Sequence, residues 1–209
     1  CKDTTYNDIF INAADPVSDF RINNAAALCA NDSVSLVNLS TISQGSVTKL
    51  EIYWDLVGAP ATFDVINVPF FNAVYKHKYP TLTTTRTYTI RVVAYSGTIC
   101  FSTRDLPVTV NAAPDVLFNP IPSICYDAPT YQIPPAIARE TGGVAGTGVF
   151  TGPGVSPGGI FTPSAAGIGT HRILYTYTSS AAGCVDTASS LITVWDTASA
   201  RIDVQPLVC

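Results

Sequence analysis

Cys100-Phe-Ser-Thr-Arg-Asp-Leu-Pro-Val-Thr-Val-Asn-Ala-Ala-Pro-Asp-Val-Leu-Phe118, closing on Ile124-Cys125, decides the architecture of the chain. The pattern occurs three times. Cys1 opens Cys-Lys-Asp-Thr, runs through Ile9, Ile11 and Pro16 to Phe20, and reaches Cys29. Cys184 opens Cys-Val-Asp-Thr, runs through Leu191 to Val194 and Ile202 to Val204, and reaches Cys209. Each copy has Thr three places after its first cysteine, then an alternating apolar strand, a joint of small residues or proline, and a second apolar strand. Each therefore reads as the last strand of one module, a short linker and the first strand of the next. Self-similarity of this kind marks a tandem array.

The copies divide the chain into four pieces. Residues 1–12 are the last strand of a preceding repeat, 13–112 and 113–197 are two whole modules, and 198–209 are the first strand of a following repeat. Hydrophobic residues make up 47% of the sequence and charged residues only 12%. The apolar share is too high for disorder, and its richness in Val, Ile, Tyr, Phe and Thr with many Gly and Pro is that of a turn-rich β-protein. A net charge of −4 without a basic run argues against nucleic acid, whose phosphates need clustered Lys and Arg. No apolar stretch approaches the ~20 residues of a membrane span. The sequence contains no Met, even at position 1, so a processed product or a fragment of a longer protein is expected. Six cysteines at repeated positions, without Cys-x-x-Cys and away from both histidines, read as disulfides of an oxidising compartment rather than a zinc site.

In the first module Asp19–Ile22 and Ser33–Leu36 are short strands. Lys49–Trp54 alternates, with Leu50, Ile52 and Trp54 on one face. From Gly58 to Pro80 the chain is expected to be irregular. Thr87–Tyr95 is a long strand with Tyr88, Ile90, Val92 and Ala94 inward, and Asp105–Val110 returns antiparallel. Six or seven strands between turn signals predict a sandwich. Trp54-Asp55, Lys76-His77-Lys78-Tyr79-Pro80 and Tyr88-Thr89-Ile90-Arg91-Val92 follow the order of a PKD-type immunoglobulin-like domain, which this module resembles. That family has Phe-Gly-Asp-Gly after its Trp-Asp. Here Leu56-Val57-Gly58 replaces it, so no role of those residues carries over.

In the second module Val116–Phe118 and Pro129–Ile133 read as strands, Gly142–Gly159 as a glycine-rich loop of positive-φ turns, and His171–Thr178 as a long strand. Val149-Phe150-Thr151-Gly152-Pro153-Gly154-Val155, Phe161-Thr162-Pro163, Tyr175-Thr176-Tyr177 and Gly183-Cys184-Val185-Asp186-Thr187 are similar to repeats of the large Bacteroidota cell-surface adhesins of gliding motility, arrays that also contain PKD-like modules with paired cysteines. The resemblance implies export by the type IX route and display as a multi-domain filament at the cell surface.

Motifs with catalytic potential are weak. Gly154-Val155-Ser156-Pro157-Gly158 matches the nucleophile elbow in form, but the elbow needs an N–H from the residue after serine, and Pro157 has none. His77 and His171 lack a supporting nucleophile or carboxylate motif and read as structural. No cofactor is expected. Calcium is the ion that tandem extracellular sandwiches clamp at junctions, and Asp15, Asp19, Asp115, Asp196 and Asp203 flank the joints, though without an Asp-x-Asp run. Asp-Ser/Thr triplets of the kind that Bacteroidota glycosylate place candidate O-glycans on Thr4, Ser33, Thr187 and Thr197.

The expected fold is all-β: two tandem Ig/PKD-like Greek-key β-sandwiches joined end to end. In such a sandwich Cys29 precedes the second strand and Cys100 follows the sixth, more than ~20 Å away along a strand, beyond disulfide reach. The expectation is an inter-module Cys29–Cys184 bond, with Cys1, Cys100, Cys125 and Cys209 finding partners in flanking repeats. A departure from that strand order would restore Cys29–Cys100 and Cys125–Cys184. Function is expected to be that of a non-catalytic spacer in surface adhesion or motility, its partners being neighbouring repeats of the same polypeptide and surface polysaccharide. The alternative is an accessory glycan-binding module of a secreted polysaccharide-degrading enzyme, with Tyr6, Tyr53, Phe70, Phe71 and Tyr75 as its platform.

Overall fold

The computed structural model describes residues 14–198. The chain divides between Ala112 and Ala113 into two compact units, both all-β.

The described residues of unit 1 form seven strands: β1 (Phe20–Ile22), β2 (Val34–Asn38), β3 (Lys49–Tyr53), β4 (Asp64–Asn67), β5 (Val74–His77), β6 (Arg86–Ser96) and β7 (Cys100–Val110). They form two antiparallel sheets, β1-β2-β5 and β4-β3-β6-β7. The chain changes sheet between β2 and β3, again between β4 and β5, and once more between β5 and β6. That is the Greek-key order of an Ig/PKD-like sandwich. Alternation explains the central strands. Leu50, Ile52 and Trp54 turn inward, as do Tyr88, Ile90, Val92 and Ala94, against Phe20, Val34 and Leu36.

The segment expected to be irregular up to Pro80 contains β4 and β5. Both are edge strands. Neither has more than half-buried residues, so no apolar alternation marks them. Between them Val68 and Asn72 adopt positive φ (52° and 64°), a conformation that a β-branched residue rarely accepts.

Unit 2 contains β8 (Val116–Phe118), β9 (Ile124–Cys125), β10 (Tyr131–Gln132), β11 (Ala138–Glu140), β12 (Gly146–Thr151), β13 (Ile160–Phe161), a one-turn helix α1 (Pro163–Ala166), β14 (Gly169–Ser179) and β15 (Val185–Trp195). The large sheet is β12-β14-β15-β9, in which β9 runs parallel to the end of β15. The facing layer is broken into β8-β11 and β10-β13. Pro134 and Pro135 interrupt what would be one second strand, because proline cannot donate to a ladder. The strand expected over 129–133 is therefore reduced to two residues. Ile133, Phe150, Phe161, Ile173, Ile192 and Val194 form the core.

The glycine-rich loop expected over 142–159 is corrected: its middle is strand β12, six residues paired with β14. Positive φ is confined to Gly143, Gly152, Gly154 and Gly159 within that stretch. Gly146 and Gly148 serve packing instead, since a Cβ at either would run into the Thr178 carbonyl or the Tyr175 hydroxyl.

Candidate functional site

The cysteines take their positions from the last strand of each unit. Cys100 is the first residue of β7, opposite Ser96. Cys29 lies at the other end, in a parallel bridge with Asn111, where Asn111 N–H donates to Leu28 and Ala30 N–H to Asn111. The 11 residues of β7, at ~3.3 Å each, separate the two by more than ~30 Å. Unit 2 repeats the arrangement. Cys184 directly precedes β15, whereas Cys125 is paired with Trp195 at its far end. Neither intra-unit disulfide is within reach. Cys29 and Cys184, both buried, are disulfide-bonded, while half-buried Cys100 and exposed Cys125 carry free thiols. Cys1 and Cys209 lie outside the described residues.

The PKD-like residues converge on one aromatic column. Trp54 stacks on His77 at 4.8 Å, His77 meets Tyr79 edge-on at 4.8 Å, and Tyr79 stacks on Tyr88 at 3.9 Å. Trp54 Nε1 donates to Asp64 at 2.7 Å, and the Tyr79 hydroxyl donates to the Trp54 carbonyl at 2.6 Å. Burial lowers the His77 pKa, against the pull of Asp64, and raises that of Tyr79. The Leu56-Val57-Gly58 departure is accommodated by Asp55, which accepts from Gly58 N–H at 2.8 Å and pairs with Arg86 at 3.2 Å. His77 is thus a packing residue. His171 bonds the Gly167 carbonyl through Nε2 at 2.8 Å, at the other long strand.

The outer face of β4-β3-β6-β7 carries a second aromatic group, of which sequence reasoning named only Tyr53. Tyr53 stacks on Phe63 at 4.7 Å, and Tyr95 leans on Phe101 at 5.7 Å. Glu51 lies between the two pairs. It accepts from Lys49 at 2.8 Å, from the Tyr95 hydroxyl at 2.8 Å and from the Tyr53 hydroxyl at 3.3 Å. Burial opposes its ionisation, but the Lys49 and Tyr95 hydrogen bonds and the Lys49 charge outweigh burial and hold its pKa below the usual value. Burial, with the hydrogen bond and charge of Glu51, pushes Tyr95 up to about 12. Lys49 also lies over the Tyr95 ring at 3.8 Å. Arg91 grips Asp105 bidentately at 2.6 and 2.7 Å, and that pairing holds the Asp105 pKa low. Every charge in this cluster is internally matched.

The proposed platform is not one surface. Tyr53 belongs to this sheet, Tyr75 to β5 of the opposite sheet, and Phe70 and Phe71 to the loop before β5, 75% and 59% exposed. Tyr6 lies outside the described residues. The outward signal was present in Tyr95 and Phe101, but the inward alternation of β6 drew the reading to its other face.

Of the glycosylation candidates, Ser33 is half-buried, and Thr187 and Thr197 are exposed. Thr187 is a paired residue of β15 opposite Thr176, and Thr4 lies outside the described residues. Ser156 sits in the turn between β12 and β13, where its Oγ accepts from Ile160 N–H at 3.0 Å. No helix starts there, so the elbow geometry is missing. Asp19 pairs with Arg104, Asp115 accepts from the Thr141 hydroxyl at 2.9 Å, and Asp196 accepts from Thr197 N–H at 2.7 Å. Among the described residues no three His, Cys, Asp or Glu side chains are grouped as metal ligands, and no helix is long and apolar enough to cross a membrane. Asp203 lies outside them.

No family model and no curated protein matches the chain. Solved structures similar to it are β-sandwich proteins. The PKD1 domain of Vibrio anguillarum Epp is 15% identical with a TM-score of 0.34, over 47% of this chain and 95% of that one. The fibronectin(III)-like modules of Clostridium thermocellum CbhA are 16% identical with a TM-score of 0.33, over 85% of this chain and 95% of that one. The insect immune protein hemolin is 12% identical with a TM-score of 0.44, over 93% of this chain and 49% of hemolin, so the chain spans about half its length. The Ig/PKD-like assignment rests on the sheets themselves.

Proposed function

We propose that the chain is a non-catalytic repeat segment of a secreted cell-surface adhesin, in which each sandwich is a spacer and a Cys29–Cys184 disulfide locks consecutive spacers. The placement of the cysteines carries this reading. Cys29 sits beside Asn111, where the chain leaves unit 1. Cys184 is two residues from Asp186, whose carboxylate accepts from Val116 N–H at 2.9 Å where the chain enters unit 2. Only residues 112–115 separate those two points. Both cysteines are disulfide-bonded and the two at the opposite strand ends are free thiols. A disulfide implies an oxidising compartment, and free thiols at the strand ends opposite Cys29 in unit 1 and opposite Cys184 in unit 2 suit bonds to flanking repeats. Non-reducing peptide mapping tests the lock. A Cys29–Cys184 linked peptide is expected, and a Cys1–Cys29 or Cys184–Cys209 peptide overturns it.

A second reading, glycan binding by unit 1, is favoured by the two aromatic pairs around Glu51. A charge-neutral face with exposed rings suits uncharged polysaccharide better than any ion. Retention on neutral polysaccharide that is lost in Phe101→Ala supports it. Equal retention of that variant removes it.

A further inference from the structure

We propose that unit 2 holds a binding site for a neutral pyranose sugar in the cavity beside its interrupted second strand. Pro134 and Pro135 part β10 from β11, and the gap opens a cavity of about 420 Å³, within the roughly 300–1,000 Å³ typical of ligand sites. Its aromatic side is Phe150 and Tyr175, 4.6 Å apart, with Tyr177 beside them. Tyr175 occupies that place because residue 148 is glycine; any Cβ there would meet its hydroxyl. The tyrosine is only 8% exposed and lines the cavity. Among the described residues only the Tyr88 hydroxyl is buried without a partner, so the Tyr175 hydroxyl meets solvent in the cavity, where a ligand hydroxyl can take the place of that water.

The rim supplies planar groups already fixed in place. Gln132 Nε2 donates to the Gly158 carbonyl at 3.1 Å and to its neighbour Ile133 at 3.3 Å, leaving its amide oxygen as an acceptor. Arg139 Nη1 is tied to the Pro135 and Ala136 carbonyls at 3.4 and 3.2 Å, leaving the rest of its fork as donors. A planar amide and a guanidinium match the paired hydroxyls of a pyranose, and the partly exposed Tyr177 ring, backed by Phe150 and Tyr175, matches its C–H face. Charge selects a neutral ligand. The Glu140 carboxylate lines the same cavity, held by Gly142 and Gly143 N–H groups at 2.8 Å each, and offsets Arg139.

This site is separate from the aromatic face of unit 1 and stands whether or not that face binds glycan. Amide NMR of the full 209-residue chain, titrated separately with methyl glucopyranoside, mannopyranoside and galactopyranoside, tests it. Saturable shifts of Gly148 and Gly158 with at least one sugar are expected. Tyr175→Phe should weaken that sugar about tenfold while keeping the thermal midpoint, because its hydroxyl has no internal partner. Unchanged affinity in Tyr175→Phe overturns the proposal. So does the absence of saturable shifts with all three sugars, or shifts confined to Tyr95 and Phe101, which would favour the unit 1 reading instead.

Discussion

Tyr79 and Tyr88 stack at 3.9 Å, but only one of their hydroxyls is satisfied. Tyr79 donates to the Trp54 carbonyl; the Tyr88 hydroxyl is buried without a hydrogen-bond partner. Removing the two oxygens should therefore have opposite effects. Tyr79→Phe strands a buried carbonyl and should destabilise unit 1 by about 1–3 kcal/mol, whereas Tyr88→Phe should be neutral or stabilise it by up to about 1 kcal/mol. Urea melts of both variants check the pair, and equal losses would contradict the assignment.

Unit 1 should lose stability in acid in two stages. His77 is depressed by burial, so the unfolded chain takes up that proton first, and stability falls as pH drops through ~6.5. Glu51 and Asp105 are also held low in the folded state. Their contribution is complete above the ordinary carboxylate range and disappears as pH falls through their folded values. Denaturant midpoints against pH should show both slopes, with His77→Gln removing only the upper one.

Glycines of unit 2 divide by what stands next to them. At Gly146 a Cβ would meet the backbone of Thr178 and Ser179, while Gly158 has open space. Gly146→Ala should cost about 1–3 kcal/mol, and Gly158→Ala should stay within about 0.5 kcal/mol of the parent. Differential scanning calorimetry separates them.

The thiols should differ in reactivity. Iodoacetamide applied without reductant should label Cys125 faster than Cys100, following exposure, and leave Cys29 and Cys184 untouched. Mass spectrometry of the digest reads the order. Labelled Cys29 in folded, oxidised protein would contradict it.

The strands that sequence made legible, β3, β6 and β14, are those whose two faces differ. Leu50, Ile52 and Ile90 announce a buried side because their neighbours are polar. β4 and β5 stayed hidden because edge residues such as Asp64 and Val74 are exposed whichever way they point. β12 stayed hidden because Gly146 and Gly148 look like turn formers, when they are gaps left for Thr178 and Tyr175. The separation of Cys29 from Cys100 was readable, since it follows from strand order alone. Of the aromatic group at Tyr53 and Phe101 only Tyr53 was named, because the group assembles from three strands and the residue before β4, and no single segment shows the others beside it. The unit 2 cavity depends on where a ladder fails at Pro134, which sequence suggests but cannot shape.

The parallel pairing of β9 with β15 has a mechanical consequence. Ile124 and Cys125 run alongside Val194 and Trp195, and Tyr126 N–H donates to Trp195 at 2.8 Å. With the Cys29–Cys184 bond closed, tension on the two ends of the chain bypasses residues 30–183; once it is reduced, the same tension drags these strands in opposite directions along their length. The bonds between them are then sheared together, whereas an antiparallel hairpin loaded from its open end peels one rung at a time. Unit 1 has a smaller version in the Cys29–Asn111 bridge. With that bond open, unit 2 yields at a force set by the small patch joining β9 to β15, and the packing of its core matters only once that patch has gone.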